Sequence, residues 1–174
     1  MQKFILFLLS IVVLTAGCEE GLQPVNGFQG RITFPENSNG TVVWPDSLNG
    51  AVVAFADARS IDIENISMES LVQNLLGFSQ PLNERQNQEY FLEALPGTYI
   101  AGVVGTTVPV DQLILQPMDS LLSHPEYFQL LGIYGYAPSA AIPIGLVIVP
   151  DDGIIENIHI DTQYNYQSQL DDLF

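Results

Sequence analysis

From residue 30 onward, turn-forming pairs punctuate the chain about every ten residues, and the runs between them alternate apolar with polar side chains. That rhythm admits short β-strands over most of the length. Arg31-Ile32-Thr33-Phe34 places Ile32 and Phe34 on one face before Pro35 stops it. Asn39-Gly40 marks a turn, Val42-Val43-Trp44-Pro45 a brief extended piece, Asn49-Gly50 a second turn, and residues 51–57 a strand of β-branched and small residues. Residues 88–95 set Tyr90, Leu92 and Ala94 against Glu89 and Glu93, with Phe91 on the polar face. Pro96-Gly97 turns the chain into Thr98–Thr106, whose two apolar faces predict a central strand. Leu130–Tyr136 and Ile142–Val149 are two more strands. Asp151-Asp152-Gly153 reads as a tight hairpin, because Asp-Gly supplies positive φ. In the strand that follows, Ile154, Ile158, Ile160 and Tyr164 face one way, and Asn157, His159, Asp161 and Gln163 the other, with Glu156 out of pattern.

Two stretches depart from this rhythm. Met68, Leu71, Val72, Leu75 and Leu76 fall on one face of a helix over 65–77, with Asn65 or Ser67 as its cap and Gly77 as a left-handed stop. Residues 110–130 leave alternatives open: Leu113-Ile114-Leu115 suits a short strand, while Met118, Leu121 and Leu122 suit a helical turn or two. Ser123-His124-Pro125-Glu126 has the form of a capping box. The sum is a mainly β fold, an antiparallel β-sandwich of roughly six to seven strands with one or two short helical insertions. Its expected core contains Ile32, Phe34, Val53, Phe55, Tyr90, Leu92, Ile158 and Ile160.

Gly30–Phe34, Trp44-Pro45, Gly50–Asp57 and Tyr90–Leu95, together with the turn Leu95-Pro96-Gly97-Thr98-Tyr99, resemble the carboxypeptidase-regulatory-like or prealbumin-like sandwiches of bacterial surface proteins. The turn here is one residue shorter than the Leu-Pro-x-Gly-x-Tyr of that family. The resemblance covers residues 30–105 and implies a fold more than a function.

The N-terminus carries a different signal. Lys3, the single lysine, precedes an apolar stretch from Phe4 to Val13 broken by Ser10, and Leu14-Thr15-Ala16-Gly17-Cys18 follows. A charged start, an apolar run too short to span a bilayer and a small-residue cleavage site describe an export signal. With the cysteine directly after the small residues, the segment resembles the lipobox of bacterial lipoproteins, although Thr15 stands where that motif usually has Leu. The resemblance implies cleavage before Cys18 and a lipid on Cys18. Glu19-Glu20 resembles the acidic signal that sends some lipoproteins to the outer face, and an arbitrary polar tether fits as well. The expected organisation is a signal peptide over 1–17, a tether over 18–29, the sandwich over 30–166 and a flexible tail over 167–174.

With Cys18 as the sole cysteine, no disulfide framework is available and no second thiol remains for metal or nucleophilic work. The processed chain would keep 157 residues, with three arginines against 20 carboxylates, a formal charge of −17. Such a surface repels nucleic acid and anionic headgroups, both of which are bound by neutralising phosphates. Membrane attachment then falls to the lipid. An outer-membrane, lipid-anchored protein on the periplasmic or surface side is the expectation, with an envelope protein or a glycan as a possible partner.

Catalytic constellations are hard to find. There is no Gly-x-Ser-x-Gly, no dinucleotide fingerprint and no phosphate loop. His124 lies in the capping box and His159 on the outward face of a strand, neither with a second histidine at ligand spacing. The transthyretin-like hydroxyisourate hydrolases share the broad architecture and end in Tyr-Arg-Gly-Ser. This chain ends Asp-Asp-Leu-Phe with no arginine after Arg85, so that activity is not expected. Asp151, Asp152 and Glu156 form the densest calcium-like cluster, but a three-residue hairpin cannot alone wrap six oxygens around one ion. Trp44, the lone tryptophan, is the residue a sugar ring would stack on. No catalytic, metal or cofactor residue is expected. A non-catalytic accessory or binding module anchored through Cys18 is the leading reading, and a surface polysaccharide- or cation-binding protein the alternative.

Overall fold

The computed structural model describes residues 25–63, 66–82, 86–117, 120, 123–136 and 144–163. Cys18, the Glu19-Glu20 pair, Asn65, Arg85, Met118, Leu121, Leu122, Tyr164 and the 167–174 tail lie outside the described residues.

Nine strands among the described residues form two sheets packed face to face, a β-sandwich. The first sheet is built on β1 (Gly27–Thr33). On one side β1 pairs antiparallel with β4 (Gln88–Glu93), and on the other it runs parallel to β8 (Ile154–Ile155) and β9 (Ile160–Asp161). The second sheet is built on β5 (Gly97–Thr106), which pairs antiparallel with β2 (Gly50–Asp57). Its other side takes β7 (Val147–Val149) along Gly97–Tyr99 and β6 (Phe128–Ile133) along Gly102–Thr106. A short β3 (Leu75–Phe78) closes the edge of β2. The inserted helices are α1 (Met68–Gln73) and α2 (Val110–Ile114), with single 3-10 turns at Ala58–Ser60 and Pro125–Tyr127.

Alternation along the strands decides what lies between the sheets. All eight expected core residues are buried, with Phe28, Tyr99, Ala101, Val103 and Leu131 beside them. Phe55 meets Phe28 and Tyr99 edge-on, at ring-centre distances of 5.6 and 5.3 Å, the arrangement that aromatic quadrupoles favour. The buried Tyr90 hydroxyl donates to Ile158 O at 2.7 Å, which removes the cost of burying it.

Several expectations need correction. Residues 27–29, assigned to the tether, begin β1, because Gly27 and Gly30 let the backbone approach its neighbours. A Cβ on Gly30 would stand 1.8 Å from Ile158 O. Asn49-Gly50 is not a turn: Gly50 opens β2 and Asn49 N–H donates to Thr106 O at 2.7 Å. The helix over 65–77 stops at Gln73. Ser67 caps it as expected, exchanging bonds with Ser70 at 3.1 Å, and the Asn74 side chain closes its end on Ser70 O at 2.8 Å. Leu75 and Leu76 then pass to β3, because the open edge of β2 offers backbone partners that a further helical turn would leave unmet. Gly77 is small for the Phe55 ring, 2.8 Å from where its Cβ would be, rather than for a left-handed stop. Leu113 and Ile114 are helical in α2, not a strand.

The sandwich is also not wholly antiparallel, and Asp151-Asp152-Gly153 is no hairpin. It carries the chain from β7 in one sheet to β8 in the other, with Gly153 at φ +98°. Asn26 holds this corner, donating to Asp151 O at 2.9 Å and accepting from Gly153 N at 3.0 Å. Asn157, at φ 64°, inserts one residue between β8 and β9 and shifts the alternation by one. Ile154 consequently faces solvent while Ile158 and Ile160 are buried.

Candidate functional site

The second sheet is buried on both faces. Its outer face carries Val52, Ala56, Ile100, Val104, Phe128, Leu130 and Ile133, roofed by Ile61, Ile66, Leu71 and Val110. Register fixes the shape of this layer. Val52 pairs with Val104, Ala54 with Gly102 and Ala56 with Ile100, so the smallest pair sits at the middle of the floor. Gly102 has no room to grow inside the sheet, since a Cβ there would stand 2.9 Å from Gly132 O at the β5–β6 bulge. The roof is made of the short helices α1 and α2, with β3 at the edge of the sheet, and none of them fills the dip over Ala54 and Gly102. A cavity of about 170 Å³ remains between them. An apolar cavity of about 150 Å³ accepts a benzene-sized guest.

Leu71, Val72, Leu75 and Phe78 line it from α1 and β3, Val110, Leu113 and Gln116 from α2 and the residues after it, and Phe128 from β6. Thr106 and Gln116 are the polar side chains among the described lining residues, and none carries a charge. Thr106 shares the outward parity of Ile100, Gly102 and Val104 along β5. It is 1% exposed. Its Oγ1 is the buried side-chain polar atom that, among the described residues, has no hydrogen-bond partner. A buried hydroxyl in an apolar layer normally finds a partner. Thr106 is also one of the residues that line the cavity. With no ionisable side chain among its described lining residues, the site is equipped to hold an apolar body and one polar atom.

The residues singled out from the sequence do not meet at this place. Trp44 packs against Phe34 at a ring-centre distance of 5.1 Å and donates its indole N–H to Leu48 O at 3.1 Å, so it belongs to the edge of the inner core. Among the described residues no three His, Cys, Asp or Glu side chains gather to hold a metal ion. Glu156, of the calcium-like cluster, instead accepts from Gln29 Nε2 at 3.3 Å. His159 accepts the backbone N–H of Arg31 through Nδ1 at 3.0 Å, replacing a strand partner where the Asn157 bulge breaks the pairing. His124 stacks on Tyr127 at 4.8 Å and meets Glu126 at 2.8 Å, a bond that holds the Glu126 carboxyl below its ordinary range.

A second, polar hollow on the first sheet is lined by Arg31, Glu89, Glu156, Asn157 and His159. Its two carboxylates are tied to different partners, Glu89 to Arg31 at 3.5 Å and Glu156 to Gln29, on an exposed surface. Such pairs are screened by water and contribute little. A side-chain bond from Arg59, reinforced by the Arg59 backbone N–H, brings Asp57 down to about 2, and burial raises the Tyr90 hydroxyl.

Reading the sequence did not single out Thr106. Its signal was present in Thr98–Thr106: a threonine at the end of a strand apolar on both faces must be buried whichever way it points. No family model, curated protein or solved structure matches the chain, so the reading of this site rests on its own geometry.

Proposed function

We propose that this protein is a non-catalytic binding module of the cell envelope, anchored to the outer membrane through a lipid on Cys18, with a prealbumin-like sandwich as its domain. One observation carries the binding half of this reading. The cavity over Ala54 and Gly102 is apolar, has no ionisable side chain among its described lining residues, and is lined by Thr106, whose hydroxyl has no partner among the described residues. A site of that composition can bind and orient, and its described lining residues include no group to move a proton. The anchoring half is supported by the apolar run, the small residues and the lone cysteine, which coincide at one place in the sequence. Gly27, the first residue of β1, comes nine residues after Cys18. Fully extended, that stretch reaches about 30 Å, so the domain would work close to the bilayer. The acidic surface keeps nucleic acid away and leaves attachment to the lipid.

Mass spectrometry of the N-terminal peptide from the membrane-derived protein tests the anchor. A lipid-modified Cys18 at the new N-terminus is expected, and release from the membrane fraction in Cys18→Ala. An unmodified Cys18, or cleavage at another position, refutes it.

A further inference from the structure

Resting on that reading of the cavity as a binding site, we infer that its ligand is an uncharged, single-chain aliphatic molecule carrying one hydrogen-bond-accepting oxygen, held by the Thr106 hydroxyl. Three properties of the cavity select this class. The lining is aliphatic and aromatic along its length, which favours a hydrocarbon body. No Lys, Arg or His is among the described lining residues, and the whole chain carries a net charge of −16. A carboxylate or phosphate would be buried there without a counter-charge, at heavy cost. The Oγ1 of Thr106 lacks a partner and can donate to a ligand oxygen, alcohol and carbonyl alike.

The register also sets the direction of the chain. Thr106 pairs with Gly50, and Phe78 with Ala54, four residues further along β2, about 13 Å by the rise of a strand. The Thr106 end is closed by Val110 and Leu113, both buried. The far end reaches Phe78, which is 40% exposed. The oxygen therefore enters first and the hydrocarbon tail runs toward Phe78. Leu76, in the same edge strand, and Leu115, directly after α2, are two further solvent-exposed leucines, 58% and 85% exposed.

Calorimetric titration of the purified full chain with 1-octanol, 2-octanone and octanoate at neutral pH tests the inference. One octanol or octanone per chain is expected, with octanoate at least about tenfold weaker because it brings an unpaired charge. Thr106→Val should weaken the alcohol and the ketone by several-fold to about tenfold. Ala54→Phe, which fills the floor, should abolish binding of all three, and a cooperative thermal transition in each variant shows that it is folded. If octanoate binds as tightly as octanol and Thr106→Val changes nothing, the ligand class is wrong while the binding module stands. If binding survives in Ala54→Phe, the site is elsewhere and the inference falls. If no chain of any headgroup binds the wild-type protein, the binding reading falls and takes the inference with it.

Discussion

Replacing Thr106 with Val should make the protein more stable, an unusual direction for a substitution inside a folded domain. Valine keeps the branched shape and exchanges the hydroxyl for a methyl. The residue is 1% exposed, and its Oγ1 has no partner among the described residues. A buried polar group left without its bond costs about 1–3 kcal/mol, and removing the hydroxyl recovers that cost. The backbone is untouched, because Thr106 O continues to accept from Asn49 N at 2.7 Å. For a domain of this size each kcal/mol moves the thermal midpoint by about 2–4 °C, so a rise of several degrees is expected. Urea unfolding followed by circular dichroism should show a higher midpoint with the slope unchanged, the sign of a stability change alone. Thr106→Ser supplies the converse. It keeps the hydroxyl, loses a buried methyl worth about 1 kcal/mol, and should be less stable than the wild type. A Thr106→Val protein equal to or weaker than the wild type would show that the hydroxyl is already bonded in the folded protein, and the argument for a waiting ligand contact would lose its basis.

Two other perturbations test the frame around the site. Phe55→Ala removes a ring that is 6% exposed and wedged between Phe28 and Tyr99, and chemical denaturation should show a loss of about 3–5 kcal/mol; a loss near zero would contradict the strand register. Arg59 holds Asp57 down to about 2 in the folded chain, against an ordinary value of 3.8. The stability this gives is full above the ordinary value and is lost as pH falls toward 2. Asp57→Asn should therefore flatten the acid limb of a stability-versus-pH curve between those limits, and an unchanged limb would exclude the pair as its source.

The inner core was legible because strands that bury one face write their pairing into period two. Ile32, Phe34, Val53, Phe55, Tyr90 and Leu92 follow from alternation alone. So did the central place of β5, whose two apolar faces imply cover on both sides. The errors fall where a local pattern fits two structures and distant backbone decides between them. Leu71, Val72, Leu75 and Leu76 satisfy a helix, yet the unpaired edge of β2 captures the last two. Asp151-Asp152-Gly153 satisfies a hairpin, yet β1 pairs with the strand beyond it and draws the chain across to the other sheet. Asn157 adds one residue to a strand that alternates well on paper, and the register of Ile154 reverses.

The cavity was hidden for a different reason. It arises from volume across a pair of strands, not from pattern along one. Ala54 and Gly102 are unremarkable within their own strands, and they become a floor once β2 and β5 align in the register that places them opposite one another. The inner face of the same two strands carries Phe55 and Tyr99, whose rings meet edge-on within the sheet, while Phe55 also meets Phe28 of the opposite sheet. The outer face covers Ala54 and Gly102 with short helices, which leave the space over them open. One sheet thus has an inner face where large rings meet and an outer face whose central pair, Ala54 and Gly102, is small and leaves room. The single unpartnered buried side-chain polar atom among the described residues stands on the second. A packing accident would put a void anywhere and would have no reason to coincide with that hydroxyl, and Thr106→Val separates the two by whether stability and ligand affinity move in opposite directions.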